Sequence, residues 1–281
     1  MACGRLRPAL PSEIFDMSVV ETVGQATIDG LAYLGDLTIL TGRSLRALIV
    51  GPFQGQRVRG QRAVHQAMTA GVGAIPILSL ISFFIGVILA LQAAYELRKL
   101  GAIALVARAV AITVTRELAP LITAIVVIGR SGSAFAAEIG SMKVNEEIDA
   151  LETMALDPIE FLVAPKLVAM ALMLPCLTTW ADFMGILGGA TFGVSVAGFT
   201  LGSYIQATLH SLVSRDIVTG LIKSVMFGMV ITAVGCQEGL STGLGAEQVG
   251  RSTTSAVVKS IFLVVAVDLV FTMLFYFTTS H

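Results

Sequence analysis

Residues 116–166 read RELAPLITAIVVIGRSGSAFAAEIGSMKVNEEIDALETMALDPIEFLVAPK. An Arg-Glu pair opens onto some twenty apolar or small residues, the segment turns abruptly acidic, and a Pro-Lys step starts the next apolar run. Such a pattern describes a membrane crossing that ends in a short charged segment before the chain crosses again. A charged helix held between two crossings suggests a mechanical contact with something outside the bilayer.

Composition agrees with this reading. The chain has 281 residues, of which 55% are hydrophobic and 13% charged, with a mean hydropathy of +0.86. Soluble domains carry about 25% charged residues, so most of this chain belongs in lipid. A net charge of −1 and the lack of any basic, aromatic-rich cluster give no reason to expect a nucleic-acid partner. Cys3, Cys176 and Cys236 form no CxxC pattern, and the latter two lie in apolar runs as small hydrophobes. His65, His210 and His281 have no metal-ligand spacing, so no metal is expected. The first seventy residues hold no apolar run beside a small-residue cleavage site, so no cleaved signal peptide is expected.

Outward from the opening stretch, apolar periodicity predicts an all-α membrane protein with five spans: 75–94, 117–137, 167–194, 217–237 and 260–277. Twenty uncharged residues in the first suffice to cross about 30 Å of hydrocarbon. Residues 96–115, with Arg98, Lys99 and Arg108, are too charged to span. The apolar tract 167–209 would make a helix about 65 Å long. It is read as one long span followed by a Gly-rich re-entrant or surface piece up to Ser211, with two spans and a tight turn as the competing count. Residues 1–70 form an N-terminal segment ahead of a transmembrane domain, 71–281. Within it, 19–50 has helical spacing at Ile28, Leu31, Leu34, Leu45, Leu48 and Ile49, which fits a helix in the membrane interface or a small soluble packing segment. Gly51-Pro52 ends it, and Arg57, Arg59 and Arg62 approach the membrane. With the N-terminus inside, twelve basic residues fall on cytoplasmic segments and five outside, so the positive-inside rule puts the N-terminus and residues 138–160 in the cytoplasm.

There is no GxxxxGK[ST], HExxH or GxSxG, so no phosphate cradle or hydrolase site is expected and the chain is read as non-catalytic. Energy for transport would come from an ion gradient or a separate ATPase. In the acidic segment, Glu138, Glu146 and Glu147 accompany Ile148, Leu151 and Met154 at helical spacing. That pattern is either a coupling helix with its apolar ridge in a partner's groove or a solvated helix covering the bundle. Asp157-Pro158 reads as an N-cap followed by Pro at the first helical position. Charges inside spans are costly and default to functional readings. Arg116, Glu117 and Lys223 fall at similar depth, so Glu117 and Lys223 are expected to pair, as a structural link or as part of a site, leaving Arg116 for an anionic group. Arg130 is expected to snorkel to the inner surface. Asp182 and Asp268 have no assignable partner; spaced acids suggest a proton path, but isolated ones more often face a lumen or cap a helix. Small residues four apart, Gly132/Ala136, Gly189/Gly193 and Gly235/Gly239, point to close helix packing and to self-association.

The opening stretch, together with GAEQVGRSTTSAVVKSIFLVVAVDLVFTMLFY at 245–276, resembles the MlaE (YrbE) family of ABC transporter permeases over roughly residues 70–277. The resemblance implies five spans, an N-terminal interfacial helix and a cytoplasmic coupling helix at 138–154. It implies a homodimer in the bacterial inner membrane, a cytoplasmic ABC ATPase that binds ATP and Mg, an MCE-domain substrate-binding protein, and in some members a STAS-domain partner. It implies movement of phospholipid or a related lipid, with Arg116 and Glu117 matching the family's RE pair beside a lipid cavity and Lys223 a lysine of its fourth span. In that picture spans one, two and five line the cavity, acyl chains lie against Leu80, Phe84, Val87 and Leu91, and the head group lies near Arg116, Glu117 and Lys223. An ion-coupled secondary transporter of a hydrophobic substrate, using Glu117, Lys223, Asp182 and Asp268, is the alternative; no internal repeat supports it. A scaffold without transport is the third.

Overall fold

Without water to satisfy it, backbone in a bilayer must hydrogen-bond to itself, and long apolar stretches do so as helices. The computed structural model describes residues 13–50, 60–195 and 198–279, and among them there is no strand. The expected Gly51-Pro52 break, Arg57 and Arg59 lie outside the described residues. Five helical stretches are long and apolar enough to cross a membrane: Gln66–Lys99, Ile103–Val144, Ile159–Ser195, Ser214–Leu240 and Ala246–Thr278.

The N-terminal helix α1 (Glu13–Val50) leads to α2 (Gly60–Gly71), which runs on into α3 (Ile75–Lys99) to complete span one. A Schellman turn closes α3: the Ala102 and Gly101 amides bond the Leu97 and Arg98 carbonyls at 2.9 and 3.1 Å, with Gly101 at φ +66°. Span two then differs from expectation. It starts at Ile103 rather than at 117 and contains α4 (Val106–Thr113), α5 (Ala119–Val127) and α6 (Ser133–Val144), joined by π-helical turns at Val114–Leu118 and Ile128–Gly132. Arg116 and Glu117 therefore lie inside the helix, not at its outer end. The π-helical turn at Val114–Leu118 has its cause in Pro120, in the first turn of α5. It has no N–H to offer the Arg116 carbonyl and its ring crowds that carbonyl, and a widened turn absorbs the conflict.

A hairpin follows, whose short helix α7 (Glu147–Thr153) is bounded by Glu146 and Ala155 in left-handed conformation. The Asp157 carboxylate accepts the Ile159 amide at 2.9 Å, the N-cap expected from Asp157-Pro158. Span three comprises a π-helical turn, Ile159–Val163, and α8 (Ala164–Ser195). The glycine-rich piece after it is the separate helix α9 (Leu201–Ser211), not part of a sixth crossing. Span four is α10 (Ser214–Leu240) and span five is α11 (Ala246–Thr279).

α8 is the central helix and packs most extensively on α3. On α3 the buried residues are Leu78, Ser82, Gly86, Ala90 and Ala94, one turn apart. A Cβ on Gly86 would collide with the Gly185 carbonyl, and one on Gly188 with that of Phe83, so the two backbones touch. The other small-residue pairs are spent inside the chain. Gly189 and Gly193 receive the ring and hydroxyl of Tyr204 from α9, and Gly235 and Gly239 lie against α6. They carry the close helix packing expected of them. A second apolar cluster gathers Leu37 and Leu40 of α1, Ile139, Ile148, Val163 and Val234. It seats α1 and the α7 hairpin at one end of the bundle.

Candidate functional site

At the opposite end, spans two, four and five enclose a cleft of about 410 Å³ lined by Arg116, Glu117, Arg215, Asp216, Thr219, Lys223, Thr272, Phe275 and Tyr276. The π-helical turn before Pro120 presents Arg116 and Glu117. Arg215, Asp216, Thr219 and Lys223 occupy the first three turns of α10, and Thr272 lies one turn beyond Asp268 on α11.

Lys223 is the centre of this arrangement. Its side chain is 1% exposed, so its charge persists in an apolar bundle only with close partners. It donates to Glu117 Oε2 at 2.5 Å and to Thr272 Oγ1 at 2.8 Å. Asp268 Oδ1 lies 2.9 Å away as an ion pair, although its angles fall outside hydrogen-bonding geometry. The expected Glu117–Lys223 pair is thus present, and Asp268, which had no assignable partner in the sequence, shares the same ammonium. Arg116 has a partner within the chain: Nη2 and Nε contact Asp216 Oδ1 at 2.5 and 2.6 Å, while its side chain stays 46% exposed. Asp216 also accepts the Val213 amide at 3.2 Å, so it caps α10 and holds Arg116 together.

Arg215, Asp216, Thr219, Thr272 and Tyr276 escaped the sequence reading. Asp216 carried the signal of an acidic residue in the first turn before an apolar run. Thr272 carried another, since i and i+4 share a helix face with Asp268. Leu80, Phe84, Val87 and Leu91 are not part of the cleft. Leu80, Phe84 and Leu91 project from the outward face of α3 and Val87 is half-buried, so within one chain span one contributes nothing to the lining that spans one, two and five were expected to form.

The end bearing α7 has its own ion pairs. Buried Lys166 meets Glu138 at 2.6 Å, and buried Glu238 meets Lys259 at 2.7 Å. The Lys259 ammonium lies 4.4 Å from the centre of the Tyr33 ring, and burial, followed by the charge of Glu238, raises the Tyr33 phenol above its ordinary pKa. The apolar ridge of α7 is divided. Ile148 is buried in the cluster that also holds Leu37 and Leu40 of α1, Leu151 is half-buried, and Met154 is 69% exposed with Leu156 beside it. Glu146 and Glu147 are exposed around them, and Lys143 braces α7 through Asp149 at 3.1 Å. Arg130 is exposed, with its guanidinium over Gly73. Asp182 has a buried Oδ1 with no hydrogen-bond partner.

Comparison with known proteins supplies the context for these two ends. The family described as Permease MlaE matches residues 63–274. A probable ABC transporter permease protein of Rickettsia felis is 34% identical over 92% of this chain and 98% of its own length. One from Synechocystis is 36% identical over 80% of this chain and 84% of its own length. The chloroplast protein TRIGALACTOSYLDIACYLGLYCEROL 1 of Arabidopsis thaliana is 34% identical over 85% of this chain and 67% of its own length. With three quarters of its length matched and relatives of this similarity aligned almost end to end, the chain is a multi-pass membrane protein belonging to the MlaE family of ABC transporter permeases.

Proposed function

We propose that this chain is the non-catalytic membrane subunit of an ABC transporter that moves phospholipid or a related lipid between the bacterial inner membrane and a periplasmic carrier. The observation that carries the reading is the charged cleft at the end of an apolar bundle opposite the α7 hairpin, beside a last helix whose most apolar window is only 11% buried. An amphiphile entering sideways from lipid meets apolar helix faces for its chains and fixed charges for its head. Acyl chains run along span one at the outward-facing Leu80, Phe84 and Leu91 and the half-buried Val87, and the head group meets the Arg116, Glu117 and Lys223 region. The name of the Arabidopsis relative points to a glycerolipid.

The N-terminus and the α7 hairpin face the cytoplasm, where a separate ABC ATPase holds ATP and Mg and docks on Leu151, Met154 and the surrounding acids. α1 lies in the inner interface, with Ile28, Leu31 and Ile39 exposed toward lipid while Leu37 and Leu40 hold the bundle. Two copies of the chain form the working unit, with an MCE-domain protein on the far side and, in some systems, a STAS-domain protein on the near side. Closure of the ATPase dimer moves the hairpin, and the rigid spans convey the motion to the cleft.

The test uses Leu151→Asp and Met154→Asp in the full complex. Each variant inserts normally and loses at least tenfold of the co-purifying ATPase. Unchanged stoichiometry in both would overturn docking at the hairpin, and labelling of a Glu147→Cys variant from the periplasm would overturn the orientation. A second reading, ion-coupled transport, draws on Asp182, whose buried Oδ1 has no partner. Lipid transfer that continues without nucleotide and stops when the proton gradient collapses would select it.

A further inference from the structure

The charges that line the cleft do not cancel locally. Arg116 and Asp216 are matched one to one. Lys223 is a single cation set between two carboxylates, Glu117 and Asp268, which leaves one formal negative charge in that group. Arg215 is the remaining charge. It is exposed, it lines the cleft, and among the described residues it forms no ion pair within 4 Å. Its position is unfavourable on local grounds, because a cation in the first turn of a helix faces the positive end of the helix dipole. Among the described residues no ion pair offsets that cost. The cleft therefore offers one surplus cation at its rim, Arg215, and one surplus negative charge deeper in, centred on Glu117, whose side chain is 37% exposed while Asp268 is 16% exposed.

We propose that this pair of separated surplus charges selects a zwitterionic phosphodiester head group, with the phosphate at Arg215 and the exposed edge of Arg116, and a primary ammonium at Glu117. The assignment rests on the lipid-transport reading above and narrows it. A head group with a phosphate and no ammonium leaves the Glu117 side unanswered, and brings its charge toward the Glu117–Asp268 group with no compensation. A neutral sugar head group leaves Arg215 unanswered. A phosphodiester bearing an amine satisfies both at once, and desolvated charge pairs are where such mismatches cost most. Tyr276 and Phe275, on the wall contributed by α11, supply an aromatic surface beside the ammonium.

The experiment reconstitutes the full-length protein in nanodiscs of equal parts phosphatidylethanolamine, phosphatidylglycerol and digalactosyldiacylglycerol. The lipids that remain bound after detergent extraction are counted by native mass spectrometry. The wild type retains phosphatidylethanolamine over phosphatidylglycerol and over the galactolipid. Arg215→Gln, an exposed substitution that leaves the buried ion pairs intact, lowers retention of phosphatidylethanolamine about tenfold, the size of one charged hydrogen bond. Glu117→Gln reverses the order, so that phosphatidylglycerol is held better than phosphatidylethanolamine. If the wild type holds the three classes equally, or if both variants keep the wild-type order, the charge match is wrong while lipid binding itself stands. A parallel arm adds glycerophosphoethanolamine, which has the same head and no chains. If it displaces the lipid at equal concentration, a soluble phosphodiester is the ligand, the charge match holds, and the lipid-transport reading falls.

Discussion

Lys223 shows how a single side chain ties three spans together. Its ammonium touches Glu117 of span two, and Asp268 and Thr272 of span five, from its place on span four. Removing it leaves two carboxylates close together with no cation between them, and breaking a buried pair from one side costs about 3–5 kcal/mol. Lys223→Ala is expected to lower the melting temperature in detergent sharply, and adding Glu117→Gln to recover most of the loss by removing one stranded charge. Recovery separates this electrostatic account from simple loss of packing, which the second substitution would leave unrepaired. The Glu117–Lys223 pair was legible in the sequence because Lys223 is a lone cation in an apolar run and Glu117 opens another, at similar depth in two crossings. The Arg116–Asp216 pair was not, because Asp216 sits at the edge of its span, where a charge attracts no notice. Lys166 was hidden for the opposite reason: counted as a loop cation, it is buried on Glu138.

Elements were legible where composition is uniform and less so where a charged stretch is helical. Span one, span three and the separate α9 follow from apolar length alone. Span two was shortened because Arg98, Lys99 and Arg108 made 96–115 look too charged to span, yet the crossing begins only at Ile103, and Arg108, the one charge between there and Arg116, is exposed on the outside of the bundle. The π-helical turns left no mark beyond Pro120 and Pro165. In the α7 hairpin, apolar spacing revealed the helix but not which residue faces inward. The structure assigns Ile148 to the chain's own core, joined with Leu37 and Leu40 of α1, and leaves Met154 outside. Ile148→Asp should therefore release the hairpin from the bundle, since a carboxylate replaces a residue 3% exposed. Limited proteolysis should then cut within 145–158 at least tenfold faster, with the spans intact, whereas Leu151→Asp should leave cleavage near the wild-type rate. Equal sensitivity in the two variants would mean that the hairpin is held by something other than this contact.

At the scale of the whole molecule, burial is uneven in a way that a complete bundle does not require. The most apolar window of span three is 61% buried and that of span five 11%. Along α11 the exposed residues Val258, Phe262, Val265, Leu269, Met273 and Tyr276 recur every three or four positions and form one continuous stripe. Lipid tails cover such a stripe as readily as protein does, so apolarity alone decides nothing here, and membrane helices associate through close packing and polar contacts. What distinguishes span five is that it also carries Asp268 and Thr272, groups that help form the cleft, on a helix that packs on α10 and α6 along one side and leaves its most apolar window largely uncovered by its own chain. A second copy seated on this stripe would fix that wall, whereas fluid lipid would leave it free to shift by the small distances over which an ion pair is lost. In a background with the native cysteines replaced, Val265→Cys should therefore cross-link between copies in native membranes within minutes of mild oxidation. Leu172→Cys, on span three and 67% exposed, should remain monomeric under the same conditions. Cross-linking of both at equal rates would show only random collision in the bilayer. Cross-linking at Leu172 alone would move the contact to the opposite face and leave span five to lipid, and the cleft would then have to function within a single chain.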